Sequence, residues 1–175
     1  MPETSPDTLD PILPDDITDL AQEVLRAAGE AKVMLATAES CTGGLLAALL
    51  TDVSGLSHAF DRGFVTYSSE AKCDMLDCDA TMIEDCGAVS RDTAEAMAKG
   101  AIARSNASVA VSITGFAGPG GDDDEEGLVH FACHNEDTSI THREEHFGPI
   151  GRDGVRLKAL RTSLDMMKES LVREP

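Results

Sequence analysis

The chain has 175 residues, of which 32 are acidic and 14 are lysine or arginine, so its formal net charge is −18. This length fits one domain, because domains usually run to about 100–200 residues. The charge excludes duplex nucleic acid and anionic membrane as partners, because both bind through clustered lysine and arginine. The sequence shows no basic and apolar leader and no apolar run of about 18 residues, so we expect a soluble protein of the cytoplasm.

The composition also indicates that the chain folds and that it is adapted to a solvent of high salt concentration. Hydrophobic residues make up 42% of the sequence, which argues against disorder. The cysteines are odd in number and lack C-x-x-C spacing, which is typical of free thiols. At molar ionic strength the Debye length falls to about 3 Å, and repulsion among surface carboxylates is then screened. We therefore expect a halophilic protein.

The apolar periodicity predicts alternating strands and helices. Residues 1–14, rich in Pro, Asp and Thr, are expected to form a flexible tail before one domain of residues 15–175. In chain order we predict a helix over 17–28 ended by Gly29, a strand over 33–38, a helix over 44–50, a strand over 63–67, a helix from Ser68 or Ser69 to 76, a helix over 90–104, a strand over 109–114, a hairpin of 128–133 with 139–147, and a helix over 155–171. This order predicts the α/β class, as a three-layer α/β/α sandwich with a mixed, mostly parallel sheet.

A first candidate site follows the first predicted strand, in the segment Thr-Ala-Glu-Ser-Cys-Thr-Gly-Gly of residues 37–44. Ligands collect at the carboxyl ends of strands in open α/β sheets, and Ser40 is expected there with its hydroxyl exposed. Gly43 and Gly44 would let backbone N–H groups approach an anion or a developing oxyanion. The alternative is structural: Ser40 or Thr42 only caps the following helix.

A second candidate site follows the next strand, between Tyr67 and Lys72. A serine nucleophile needs a base, usually a histidine, but His58 lies in a loop-like stretch without a paired acid. A lysine that burial keeps neutral is the other base, and it requires a lowered pKa. The alternative for Lys72 is a surface lysine paired with a carboxylate.

A third candidate site is glycine-rich and spans residues 114–121, from Thr114 to Gly121. Its glycines permit close approach of a phosphate or ribose, although it matches neither the dinucleotide-binding nor the P-loop motif. The five acids of 122–126 are typical of a solvated loop, with a Mg²⁺ site as the alternative. Arg152 and Arg156 open the last helix and are natural anion anchors, with ion pairs to neighbouring carboxylates as the alternative.

The histidines do not predict a metal site. His130 with His134, and His142 with His146, form two H-x3-H pairs, which suit a metal ion when they lie on a helix. The surrounding residues predict strands, where positions four apart lie about 13 Å from each other. We therefore expect no metal and no other cofactor.

These segments together resemble the CinA C-terminal domain family, also called the PncC family. The motifs TAESCTGG, GFVTYSSEAK, GAVS, SITGFAGPGG and GRDGVR occur in the family's order between about Asp16 and Leu171. Each motif alone is modest, whereas the ordered set is specific. Full-length relatives carry a further N-terminal domain similar to molybdopterin-binding proteins. This chain is too short to include that domain, so we expect the stand-alone form.

The resemblance implies a nicotinamide-nucleotide amidase of NAD salvage, which converts nicotinamide mononucleotide and water to nicotinate mononucleotide and ammonia. Carried over by motif, Ser40 is the expected nucleophile, Lys72 the general base and Tyr67 a residue that orients or relays. The expected substrate contacts are the backbone of Cys41, Thr42, Gly43 and Gly44 for the oxyanion, Thr114, Gly115, Gly118 and Gly120 for the nucleotide, and Arg156 with Arg152 for the phosphate.

Two other functions stay open at this point. One is a nucleotide-binding regulatory module without turnover, and the other is an amidase for a different small amide, since nothing in these residues dictates a pyridine ring. The acids of 122–126 depart from the family, whose members often have a lysine nearby, so a cationic contact from this loop is in doubt. Family members tend to self-associate, and we expect a homodimer.

Overall fold

A computed structural model describes residues 13–137 and 139–172, in which helices and strands alternate. The tail predicted for residues 1–14 lies outside this part of the chain except for Leu13 and Pro14. The elements are α1 Asp15–Ala31, β1 Leu35–Glu39, α2 Leu45–Asp52, a 3-10 turn at Ser57–Ala59, β2 Phe60–Val65, α3 Ser69–Leu76, α4 Ala80–Cys86, α5 Arg91–Ala103, β3 Val109–Gly115, β4 Leu128–Asn135, β5 Ile140–His146 and α6 Arg152–Leu171.

The strands of the described chain form one sheet in the order β2-β1-β3-β4-β5. Strand β1 runs parallel to both β2 and β3, while β4 is antiparallel to β3 and to β5. Only β4 therefore points against the other strands. Together with helices on both faces, this confirms the predicted α/β/α sandwich with a mixed, mostly parallel sheet.

Alternating side chains of the central strands build a core on each face of the sheet. Leu35 packs with α1, α2 and α6 in the larger core, while Ala36 and Ala38 pack with residues of α3, α4 and α5. Small residues on this second face let α5 lie close to β1 and β3. A close approach also joins α3 to α5, because a Cβ on Gly100 would overlap the carbonyl oxygen of Leu76.

The predicted bounds of α1 and β2 were wrong, and one helix was missed. Helix α1 continues past Gly29 to Ala31 and ends with Lys32 in the left-handed region at φ 58°. Strand β2 begins and ends before the predicted 63–67, so that Tyr67 lies beyond it. Helix α4 was not predicted, although Asp79 caps it by accepting a hydrogen bond from the N–H of Met82 at 3.0 Å.

In the described part of the chain, every helix is too short or too polar to cross a membrane.

Candidate active site

The carboxyl ends of β1 and β2 bring Ser40 and Lys72 together. Ser40 directly follows β1 and donates its N–H to the carbonyl of Ile113 on β3 at 2.9 Å. Lys72 projects from α3, and its Nζ donates to Ser40 Oγ at 3.2 Å and to the carbonyl of Thr66 at 2.8 Å. Thr66 in turn donates its N–H to the carbonyl of Glu39 at 2.8 Å. The lysine amine and the serine hydroxyl are thus tied to the same two strand ends.

Lys72 is buried, not a surface lysine. Its exposed fraction is 1%, that of Ser40 is 8%, and no ion pair of the described residues joins Lys72 to a carboxylate. Burial lowers the pKa of Lys72, because removal from water disfavours the charged amine, while the nearby thiols of Cys78, Cys41 and Cys73 act weakly the other way. The same burial raises the pKa of the Cys41 thiol to about 11, so that this neighbour of Ser40 remains protonated.

The turn that follows Ser40 is organised by Glu39, a residue that the sequence analysis did not single out. The carboxylate of Glu39 accepts from the hydroxyl of Thr42 at 2.7 Å and from the N–H groups of Gly44, Leu46 and Ala47 at 3.2, 3.1 and 2.8 Å. Neither Ser40 nor Thr42 caps α2, since the carboxylate takes that role. An acid at the end of an apolar strand, just before a helix, was the signal that could have identified it.

The two glycines of this turn have a conformational reason. Gly43 and Gly44 lie at φ 63° and 92°, in the left-handed region that favours glycine. Their N–H groups are already used, that of Gly43 by the carbonyl of Ser40 at 3.1 Å and that of Gly44 by Glu39. Among the described hydrogen bonds, the N–H groups of Cys41 and Thr42 donate to no other residue. Of the four backbone N–H groups expected to bind the oxyanion, only these two are therefore still available. Buried N–H groups usually have a partner, so two without one are candidates for binding a ligand.

Both predicted arginines lie beside this turn or beside the glycine-rich loop. Arg156 donates its Nε to the carbonyl of Cys41 at 2.9 Å. Arg152 lies one helical turn earlier on α6, and a Cβ on Gly118 would come within 3.1 Å of its Nη2. Neither arginine takes part in an ion pair among the described residues, whereas Arg161 pairs with Asp16 at 2.6 Å. The guanidinium groups of Arg152 and Arg156 thus keep donors for an anion.

The glycine-rich loop of residues 114–121 is held by contacts with residues outside it. Thr114 donates its hydroxyl to the carbonyl of Ala88 at 2.6 Å, just before α5, and Gly115 ends β3 against the backbone of Leu128. The carboxylate of Asp124 accepts from the N–H of Gly121 at 2.7 Å and occupies the space that a side chain on Gly120 would need. One acid of the run 122–126 therefore closes the loop itself.

Tyr67 makes no described hydrogen bond to Ser40 or Lys72. Its side chain is 67% exposed. The position beside the amine is taken by the carbonyl of Thr66. The orienting role expected of Tyr67 therefore has no described hydrogen bond that supports it.

The four histidines of the two H-x3-H pairs lie on strands, as predicted. His130 on β4 and His142 on β5 face each other across the strands, with Nδ1 and Nε2 3.1 Å apart. His146 lies between Glu125 and Glu144, and these hydrogen bonds raise its pKa. Residues 13–137 and 139–172 hold no cluster of three or more histidine, cysteine or acidic side chains that could bind a metal ion.

Known proteins share this architecture. The model of the family described as "CinA C-terminal domain" matches residues 17–171. A "CinA-like protein" of Leptospira borgpetersenii is 38% identical over 159 residues, which cover 89% of this chain and 37% of the relative. The "Nicotinamide-nucleotide amidohydrolase PncC" of Enterobacter agglomerans is 41% identical over 138 residues, covering 78% and 84%. The chain thus spans about a third of the length of the first curated relatives that it matches.

A solved structure is similar over almost the whole chain. The competence/damage inducible protein CihA from Agrobacterium tumefaciens has 45% sequence identity and a TM-score of 0.88. The match covers 91% of this chain and 98% of that one. Similarity over such a span means that the sheet and both helical layers are shared.

Proposed function

This chain belongs to the CinA C-terminal domain family, and from that premise we propose that it hydrolyses nicotinamide mononucleotide to nicotinate mononucleotide and ammonia. One observation carries the proposal: the buried amine of Lys72 lies 3.2 Å from the hydroxyl of Ser40. A relative of 41% identity bears the name of a nicotinamide-nucleotide amidohydrolase, which supports the choice of substrate.

The first half of the reaction forms an acyl-enzyme. Neutral Lys72 takes the proton of Ser40, and Oγ attacks the amide carbon of the substrate. The carbonyl oxygen becomes an oxyanion, for which the N–H groups of Cys41 and Thr42 are the candidate donors. Protonated Lys72 then gives its proton to the amide nitrogen, the C–N bond breaks, and ammonia leaves.

The second half returns the enzyme to its starting state. Lys72, neutral again, takes a proton from water, and the resulting hydroxide attacks the ester carbon. The ester bond to Ser40 breaks, the proton returns from Lys72 to Oγ, and the carboxylic acid that forms loses its own proton to solvent and leaves as a carboxylate. One lysine thus serves as base and acid in turn, which suits a buried amine with a lowered pKa.

Binding of the nucleotide rests on local cations. The chain carries a net charge of −18, which opposes the approach of a phosphate at low ionic strength. Arg152 beside Gly118 and Arg156 beside Gly43 are the candidate phosphate ligands, because both guanidinium groups lack a carboxylate partner in the described chain. At molar salt the repulsion between the acidic surface and the phosphate is screened beyond about 3 Å, whereas direct contacts between the arginines and the phosphate remain.

The test is ammonia release from nicotinamide mononucleotide, measured in low and in molar KCl. We expect activity in the wild type, and a loss of about 1,000-fold or more in Ser40→Ala and Lys72→Ala. Exposed Ser54→Ala and Lys99→Ala are the matched controls and should keep full activity. Nicotinamide riboside, which lacks the phosphate, should be a poor substrate.

Two results would contradict the proposal. A wild type that binds the nucleotide without releasing ammonia would be a binding module. Full activity in Ser40→Ala would refute the serine mechanism for any substrate.

A further inference from the structure

Glu39 is a buried carboxylate with an unusual set of partners. It is the one acidic side chain of the described residues that is fully buried, at 0% exposure, and no lysine or arginine pairs with it there. A buried carboxylate is costly unless its oxygens accept hydrogen bonds. Glu39 meets this need within eight residues of the chain, through one hydroxyl and three backbone N–H groups.

The carboxylate occupies the N-terminus of α2. Leu46 and Ala47 lie in the first turn of that helix, where N–H groups lack helical acceptors and attract anions. In many nucleotide-binding proteins a substrate phosphate takes such a place. In this chain the position is already filled by its own side chain, so the phosphate of a substrate must bind elsewhere.

The same carboxylate holds the catalytic turn, here residues 40–44, to the sheet. The backbone of Glu39 belongs to β1 and accepts from Thr66, the residue whose carbonyl holds Lys72. Its side chain binds Thr42 in the middle of the turn and Gly44 at its end. The N–H groups of Cys41 and Thr42, which donate to no other described residue, thus lie between β1 and the attachment at Gly44.

We propose that Glu39 is a positioning residue, which ties the catalytic turn to α2 so that the N–H groups of Cys41 and Thr42 are kept for the oxyanion. This inference rests on the serine mechanism of the proposed function. It does not depend on the identity of the substrate, because the turn is the same for any acyl group. Glu39 itself touches no reacting atom in this scheme.

The variant that tests the proposal is Glu39→Gln. An amide keeps the shape of the side chain but replaces one acceptor oxygen with an NH₂ donor, which would then face a backbone N–H or the Thr42 hydroxyl. The turn should lose part of its attachment while the two arginines stay in place. With nicotinamide mononucleotide we expect kcat to fall about 10- to 100-fold at nearly constant KM, the pattern of a lost transition-state interaction.

A second readout is free of the nucleotide. An alkyl fluorophosphonate reacts with an activated serine: the Oγ–P bond forms, the P–F bond breaks, fluoride leaves, and the serine proton passes to Lys72. Its tetrahedral oxygens use the same oxyanion donors. We expect wild type to be labelled at Ser40, Ser40→Ala to be unlabelled, and Glu39→Gln to be labelled about 10-fold or more slowly.

The control is Asp79→Ala, which removes a helix cap at exposed Asp79, where the carboxylate accepts from the N–H of Met82. It should lower the thermal midpoint without slowing the labelling. Thr42→Val removes one of the four donors to Glu39 and carries the test if Glu39→Gln does not fold. It should slow labelling about 3-fold or more.

The outcomes separate the two proposals. Labelled wild type that releases no ammonia from the nucleotide would refute the proposed substrate and leave the role of Glu39 standing. Labelling of folded Glu39→Gln at the wild-type rate would overturn the role of Glu39, as would an unchanged rate in Thr42→Val if Glu39→Gln is unfolded. A wild type without any labelling at Ser40 would refute both.

Discussion

Arg156 of the last helix donates its Nε to the carbonyl oxygen of Cys41 at 2.9 Å, directly after the candidate nucleophile. Arg152, one turn earlier, has no such contact with the turn and lies against Gly118 instead. The two arginines are treated alike in the sequence analysis, but only Arg156 is hydrogen-bonded to the turn that follows Ser40. Their variants should differ as well.

We expect Arg152→Ala to raise KM for nicotinamide mononucleotide about 10- to 100-fold with little change in kcat, because it removes the proposed charge-assisted contact to the phosphate. Arg156→Ala should raise KM and also lower kcat, because it frees the carbonyl of Cys41. Steady-state kinetics separates the two effects. The control is Arg161→Ala, which removes a surface ion pair with Asp16. A kcat in Arg156→Ala equal to that of the wild type would show that the hydrogen bond from Arg156 to the Cys41 carbonyl does not contribute to catalysis.

Lys72→Met should produce an inactive protein that is more stable than the wild type. Lys72 is 1% exposed and has no carboxylate partner among the described residues, so its amine bears a desolvation cost that methionine lacks. Replacing buried ion pairs with apolar side chains of similar volume often stabilises a protein by about 1–4 kcal/mol, and we expect a gain of that order for this unpaired amine. Urea unfolding at neutral pH measures the change. Exposed Lys99→Met should stay within about 0.5 kcal/mol of wild type, and a destabilised Lys72→Met would contradict the argument.

The pH dependence of kcat/KM should report the amine of Lys72. Burial lowers the pKa of this group, and the neutral form is the base in the proposed mechanism, so kcat/KM should rise with pH through the lowered pKa and then level off. The pKa of an unfolded lysine is about 10.4, so the unfolded state binds more protons between the two values, and the free energy of unfolding should rise with pH over that interval. Rate profiles at constant ionic strength check this. A rate that falls with pH across the same range would assign the base elsewhere.

Gly100→Ala should disturb the packing of α3, the helix that carries Lys72, against α5. The new Cβ would overlap the carbonyl oxygen of Leu76 and force α3 away from α5. We expect a loss of about 1–3 kcal/mol in the free energy of unfolding and a lower kcat, because α3 carries Lys72, the proposed base. The control is Gly154→Ala on α6, whose Cβ would meet only the flexible side chain of Ile150 at 3.2 Å. Equal stability of the two variants would argue against the close approach.

The thermal midpoint should rise from low to molar KCl. A net charge of −18 destabilises the compact state through self-repulsion, and this repulsion is screened when the Debye length falls to about 3 Å. Scanning calorimetry across the salt range measures the shift. A midpoint that is flat or falls with KCl would contradict the expectation of a halophilic protein.

Much of the fold followed from local patterns in the sequence. The apolar periodicity predicted the order of strands and helices, and Ser90 marked the start of α5, where it accepts from the N–H of Thr93 at 3.2 Å. The placement of Ser40 after β1 was predicted in the same way. These features depend on contacts within a few residues, so the sequence is sufficient to read them. The ordered motifs also led to the family that residues 17–171 match.

The roles of individual site residues depended on the tertiary structure. The sequence left Lys72 open between a surface ion pair and a buried base, and only the packing of α3 beside the strand ends buried it 3.2 Å from Ser40. The same packing left Tyr67 exposed and gave its expected place to the carbonyl of Thr66. Elements that are distant in the chain decide whether a side chain is buried and what it contacts. Here those elements are β1 and α3. The parallel pairing of β1 with β2 brings the end of β1 and the start of α3 to the same edge of the sheet. The sequence therefore determined which groups could react, and the packing decided which of them meet.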